Sequence, residues 1–478
     1  MLPTRFRLWL ATAAGILLAA CGGGGSSTTG GASSGGGTAT TQRAVVTSGV
    51  ITGFGSVYVN GIHFETSGAE ISKDGQRISQ SGLRVGQVVH VNGTIDSSGR
   101  AVALSVRQDD DVEGPIASID ATAQTFVVLG QTIRVTTETS FDSSLAGFTA
   151  LTVGLQVEVS GLKNASGDIV ATRIEKRSAG VTSLEVMGKV ASLDTTNKKF
   201  NIGSLVVNYT GATLRDFPAT GLTNDQIVEV KGSSINAAGE LVATSLELRN
   251  FESHEGAFER EVEGLVTRYA SATDFDVAGR KVTITASTRY EGGTAADIAL
   301  NVKLEAEGTI DANGVLVAVK IEFKRGNSAG LAGLVDNVTA DSSGLGGTLT
   351  VLGVTVTVDN TTRIEDKSDA RIEMFRLSNV QVGDYVEIRG TETAPLRLTA
   401  SRLERERPES RSWVRGTVRD LVSPNFTILG VPVTTSASTR FEEISSTDFF
   451  ANAAGRVVKA KGTETANQIA ASEVEFED

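Results

Sequence analysis

The sequence predicts an all-β protein, in which an N-terminal signal and tether precede six tandem, small, five-stranded OB-like β-barrels. Three observations carry this. A nine-residue phrase recurs six times, as VGQVVHVNG at Val85, VGLQVEVSG at Val153, NDQIVEVKG at Asn224, LNVKLEAEG at Leu300, VGDYVEIRG at Val382 and AGRVVKAKG at Ala454. Around each phrase the same order of Val-rich runs and glycines returns at intervals of roughly 65 to 80 residues, which is the mark of a repeat array. The 53 glycines, set against 7 prolines and 5 % aromatic residues, suit short strands joined by tight turns.

Residues 1–20 read as an export signal. Arg5 and Arg7 supply a positive start, Leu8 to Leu17 a short apolar run, and Leu18-Ala19-Ala20-Cys21 the close. The run is shorter than the roughly 20 apolar residues of a membrane-spanning helix. Leu-Ala-Ala-Cys resembles the bacterial lipobox, whose cysteine is lipidated and becomes the new N-terminus. That resemblance implies lipidation at Cys21, the one cysteine of the chain, and anchoring to a membrane. Gly22 rather than Asp follows it, which under the enterobacterial sorting rule implies the outer membrane, with the periplasmic or surface face left open. Each buried methylene contributes about 0.8 kcal/mol, so several acyl chains would hold durably. A single cysteine allows no intrachain disulfide. Residues 21–43 are nearly all Gly, Ser, Thr and Ala beyond the cysteine, cannot bury apolar surface, and are expected to be a tether spanning on the order of 25 Å.

The six repeats are placed at 44–111, 112–180, 181–253, 254–327, 328–408 and 409–478. Each opens on a glycine in a β-branched context, at Gly49, Gly114, Gly188, Gly264, Gly333 and Gly416, within strand one. A second strand meets a hairpin glycine before the third, at Gly61, Gly130, Gly203, Gly279, Gly353 and Gly430, where φ > 0 is needed. A polar connection follows, often with Thr-x-aromatic, as in Thr139-Ser140-Phe141, Thr288-Arg289-Tyr290 and Thr439-Arg440-Phe441. The phrase is strand four, read as ending on a turn glycine, and runs such as IVATRIE and LVAVKIE are strand five. Closing each sheet into a barrel disposes of sticky edges. Open sandwiches or a continuous solenoid are the alternative; separate barrels in a string fit better, because the period exceeds the roughly 20 to 50 residues of solenoids and propellers.

Through the opening glycine, the turn glycine and the VGxxVxVxG phrase, residues 48–478 resemble an uncharacterised family of domains of unknown function found as tandem repeats in proteobacterial lipoproteins. The resemblance implies a fold grammar and no catalytic residues.

A net charge of -12 excludes a nucleic-acid partner, since phosphate binding needs a basic surface. The three histidines, His63, His90 and His254, are not at metal-ligand spacing, and no metal or other cofactor is expected. At the ionisable point of the phrase stand His90, Glu158, Glu229, Glu305, Glu387 and Lys459, opposite the Val face, so they are expected to point to water. Asp109-Asp110-Asp111 lacks the ligand spacing of a calcium loop and reads as a solvated linker, as does Glu404-to-Arg411 between copies five and six. No nucleophile elbow, phosphate loop or dinucleotide fingerprint appears. Phe54, Tyr58 and Phe64 make copy one the sole candidate aromatic platform. The expected function is a non-enzymatic outer-membrane lipoprotein acting as a spacer, scaffold or adhesive surface in the cell envelope, with an envelope protein or glycan as partner. The alternative is a ligand-binding module taking a glycan or peptide through Tyr58 and Phe64 of copy one. An enzyme with an unrecognised site is the remote third.

Overall fold

The computed structural model describes residues 42–178, 183–249, 259–324, 328–442 and 444–477. The signal, Cys21, the tether up to residue 41 and His254 lie outside the described residues. In copy one the alternation of apolar and polar residues becomes an opening strand, Arg43–Phe54, that bends beyond Ile51 and pairs with Val57–Val59. That strand turns back into Ile62–Glu65. The chain crosses by a 3-10 turn at Gln80–Gly82 to the fourth strand, Val88–Ile95, and hairpins into the fifth, Ala101–Gln108. The fifth strand runs parallel to the third, with Ala101 opposite Phe64, and antiparallel to the fourth, with Val106 opposite Val91. The fourth then closes on the opening strand, His90 opposite Ser48. This circuit, 1-2-3-5-4-1, is the OB-like barrel, and the pairings of the other five copies repeat it. In copy six the crossover is a short helix, Ser446–Asn452, capped by the Ser445 hydroxyl accepting from the Asp448 N–H at 3.1 Å.

The sequence signals find physical causes. All six hairpin glycines have positive φ, and at five of these turns the preceding residue, such as Asn60 (φ 52) or Leu429 (φ 55), does too. That is the type I′ turn, whose twist matches the strands it joins. The Thr of Thr-x-aromatic latches the crossover to strand five: the hydroxyls of Thr139, Thr288 and Thr439 donate to the carbonyls of Ala171, Ala318 and Ala471 at 2.7, 2.7 and 2.6 Å.

The glycine that ends the phrase is not a turn residue. Gly93, Gly161, Gly232, Gly308, Gly390 and Gly462 each sit inside strand four at a bulge against strand five. At Gly308 and Gly462 a β-carbon would stand 2.0 Å from a main-chain carbonyl oxygen of strand five. A side chain there would force the strands apart where the bulge bends strand four to close the barrel.

Barrel closure does not use every edge. Strand two reaches only the far end of the opening strand, and the near half of that opening strand meets another copy. Val112 of copy two lies opposite Val186 of copy three, and Leu331 of copy five opposite Val414 of copy six, both antiparallel. Copies one and four pair in parallel, Thr47 opposite Glu261. Copies two and three share a continuous apolar core, as do five and six, whereas one and four keep separate cores. Thr41–Asp478 is therefore one compact unit, and the expectation of separate barrels on a string is corrected. The cause is the half-free edge, which in Val-rich strands finds a partner. No helix among the described residues is long and apolar enough to cross a membrane.

Candidate functional site

The outward row of the phrase, expected to face water, is where the copies meet. Glu158, Glu229 and Glu305 are 2, 1 and 4 % exposed, which corrects that expectation for copies two, three and four, while His90, Glu387 and Lys459 stay partly exposed. Part of the cover comes from other copies, as where Lys73, in the crossover of copy one, bonds to Glu158 of copy two. In copy two the register sets Glu113, Glu158 and Glu175 side by side across three strands. Copy four repeats the row with Glu263, Glu305 and Glu322. Like charges directly opposite one another repel, so each row holds only with cations laid across it.

Those cations come partly from other copies. Arg177 reaches Glu113 at 3.1 Å and Glu158 at 2.9 Å. Lys73 of copy one bonds to Glu158 and lies 3.7 Å from Glu175 and 4.0 Å from Asp110. Lys231 of copy three spans Glu185 at 3.1 Å and Glu229 at 3.0 Å, and its ammonium donates to the Asp74 carbonyl of copy one at 2.7 Å. In copy four Lys324 pairs with Glu305 at 2.9 Å and Glu322 at 2.6 Å. Arg402 of copy five donates to Glu404 at 2.6 Å and to the Thr137 carbonyl of copy two at 3.0 Å.

Asp109-Asp110-Asp111, expected as a solvated linker, is buried in this junction. Asp109 takes Arg107 at 2.8 Å and Arg249 at 3.2 Å, and Asp111 accepts the Gly161 N–H at 2.9 Å. Asp110, Glu113 and Glu158 bring carboxylate oxygens close enough to share a cation. The Lys73 ammonium already lies against two of the three, so the charge there is met by the chain itself. Burial, with neighbouring carboxylates behind it, raises the pKa of both Asp110 and Glu158. In the Glu404-to-Arg411 joint, Glu404 and Arg405 belong to strand five, and Arg405 grips Asp366 at 2.6 Å.

Glu185 makes the cost of this arrangement measurable. Burial first and Asp74 second push its carboxyl up to about 8 from 4.5, against the pull of Lys231. A carboxyl raised in the folded state stabilises the fold while protonated, and that contribution is lost as pH rises through the folded value. Stability is thus expected to fall between pH 4.5 and 8, and Glu185→Gln should flatten that slope and gain about 1 kcal/mol or more at pH 8 in urea unfolding. An unchanged slope would contradict it.

The aromatic platform of copy one is not open. Phe64 is 0 % and Tyr58 6 % exposed, and the Tyr58 ring stacks on His63 at 4.5 Å. Copy five covers this face: the Thr52 hydroxyl donates to the Asn360 carbonyl at 3.2 Å, and the Arg376 side chain lies against Gly55. Tyr58 and Phe64 are therefore core and interface residues, a correction to their reading as ligand contacts. Small barrels have few other large side chains with which to fill their centres. His90, in contrast, lines a cavity between copies one to four. The signal for it was legible, since copy one alone has an imidazole at the ionisable point of the phrase.

The sequence profile of the family described as Domain of unknown function (DUF5666) matches residues 43–107, 113–175, 187–247, 263–322, 332–404 and 415–475. No curated protein matches the chain at a significant level. With six matches over most of its length, the chain belongs to the DUF5666 family as a tandem array of six such domains.

Proposed function

We propose that the chain is a non-enzymatic outer-membrane lipoprotein, anchored through Cys21, whose six barrels serve as one rigid scaffold in the cell envelope. The observation that supports this reading is the pairing of opening strands between copies, locked by ion pairs that run from copy to copy. A body held in this way presents a fixed surface to an envelope protein or glycan. It acts as a scaffold or adhesive block rather than as an extended spacer. The lipobox-like Leu18-Ala19-Ala20-Cys21 and the Gly/Ser/Thr tether support the anchored placement, in a bacterial lipoprotein of proteobacterial type.

The test is protease shaving of intact cells carrying the tagged protein, with lysed cells and Cys21→Ser as controls. Membrane retention that Cys21→Ser abolishes is the expected result, and shaving then separates a surface from a periplasmic face. Retention without Cys21 would remove the anchor from the proposal. X-ray scattering of the soluble Cys21→Ser protein should give a radius of gyration of about 22 Å for its folded part, the value for a compact body of this length. A much larger value would restore the string.

A further inference from the structure

A cavity of about 730 Å³ lies where copies one to four meet. Clefts that hold small ligands run from about 300 to 1,000 Å³. Its floor is the outer face of copy one, and the strand registers lay that face out as a lattice. Ser48, His90, Arg107 and Ser72 stand abreast in one row. Val46, Asn92, Ser105 and Glu70 form the next. Adjacent strands are about 4.8 Å apart, so neighbouring hydroxyl, amide and imidazole groups can each reach a different hydroxyl of one sugar ring.

The first row is the telling one. Where copies two and four carry three glutamates, copy one carries Ser48, His90 and Arg107. The repeat's acidic row is broken here, as it is in copy six, where Arg415, Lys459 and Glu475 stand in the same row. Copy four faces it with Arg260, Arg280 and Lys281, and Arg249 enters from the end of copy three. Four of the five lining carboxylates are engaged within the protein: Asp109 with Arg107 and Arg249, Asp111 accepting the Gly161 N–H at 2.9 Å, Glu261 accepting from the Thr47 hydroxyl at 2.9 Å, and Glu263 with Lys303 at 2.5 Å; the fifth, Glu70, stands exposed at the edge. Burial, then the guanidiniums of Arg107, Arg280 and Arg249, lower the His90 pKa to about 3. The imidazole is thus neutral and offers one donor and one acceptor. Val46, Val88 and Val262 add apolar ground for the C–H face of a ring. Glu70, Gly279, Lys281 and Asn313 are exposed at the mouth, so a ligand has a way in.

We propose that this cavity binds a small anionic sugar, its hydroxyls on Ser48, Ser72, Asn92 and Ser105 and its acidic group, carboxylate or phosphate, toward Arg107 and Arg280. The site goes beyond the scaffold role and does not depend on it. The test is calorimetric titration of the full soluble Cys21→Ser protein with digalacturonate, glucose 6-phosphate and, as the neutral probe, maltose. The expected result is binding of one of the two acidic sugars, the arm that responds telling carboxylate from phosphate, and no heat from maltose. Lys281→Glu, at the exposed mouth, should weaken that binding about tenfold while leaving thermal unfolding in place. Ser105→Trp, which fills the floor, should abolish it. Silence with both acidic sugars, equal binding of maltose, or unchanged binding in both variants would overturn the proposal. None of these outcomes alters what shaving reports about anchoring.

Discussion

Gly390→Val is expected to unfold copies five and six together, at a cost of about 3 kcal/mol or more. A β-carbon at Gly390 would stand 2.1 Å from the Thr399 carbonyl oxygen and 2.9 Å from its carbon. Both atoms are main chain, so no rotamer relieves the clash, and the bulge that closes the barrel is lost. The damage should spread because the Ala329–Ala340 strand of copy five is paired with the Ser412–Val422 strand of copy six, over one continuous core. Hydrogen exchange read on those two strands, with calorimetry alongside, checks this. Protection lost in copy five and kept in copy six would mean that the shared sheet carries little energy. Gly462→Val should give the same result from the other side, its β-carbon 2.0 Å from the Ala470 oxygen.

Lys73→Met is expected to cost about 3 to 5 kcal/mol at pH 8, the scale for removing one partner from a buried ion pair. It leaves Glu158, Glu175 and Asp110 without the one cation that copy one sends into copy two's acidic row. Asp110 and Glu158 already have raised pKa values, burial being the first cause, and losing the ammonium pushes both further up. Their protonated forms are therefore favoured in the folded state, so the deficit should shrink as pH falls and grow as it rises. Urea unfolding at pH 5 and pH 8 tests the sign. Equal losses at both would assign the effect to the packing of the lysine stem rather than its charge. Lys73→Arg, which keeps a cation there, should recover much of the loss.

Much of each barrel could be read directly. The period-two runs mark the strands, the hairpin glycines fall at the I′ turns, and Thr-x-aromatic falls where a hydroxyl ties the crossover to strand five. The phrase-ending glycine was found for the wrong reason: a turn and a bulge both ask for glycine, and only the register across to strand five tells them apart. The charged residues were misplaced for a different reason. An acidic run such as Asp109-Asp110-Asp111, or a glutamate alternating with valines, looks solvated when nothing nearby in sequence covers it. The cover comes from residues far along the chain, as with Lys73 over Glu158 and Arg363 of copy five, whose guanidinium caps the Glu138 carbonyl of copy two.

The amino-acid sequence alone therefore determined six closed barrels of one pattern, because strand period, turn conformation and bulge position are set by residues within about 70 positions of each other. It also shows that the ionisable point of the phrase varies, an imidazole at His90 in copy one and an ammonium at Lys459 in copy six. Which copies pair, what their acidic rows meet and where a cavity is left were decided only in the tertiary structure. Those features depend on half an edge left free in each opening strand and on the side chains that distant copies bring to it.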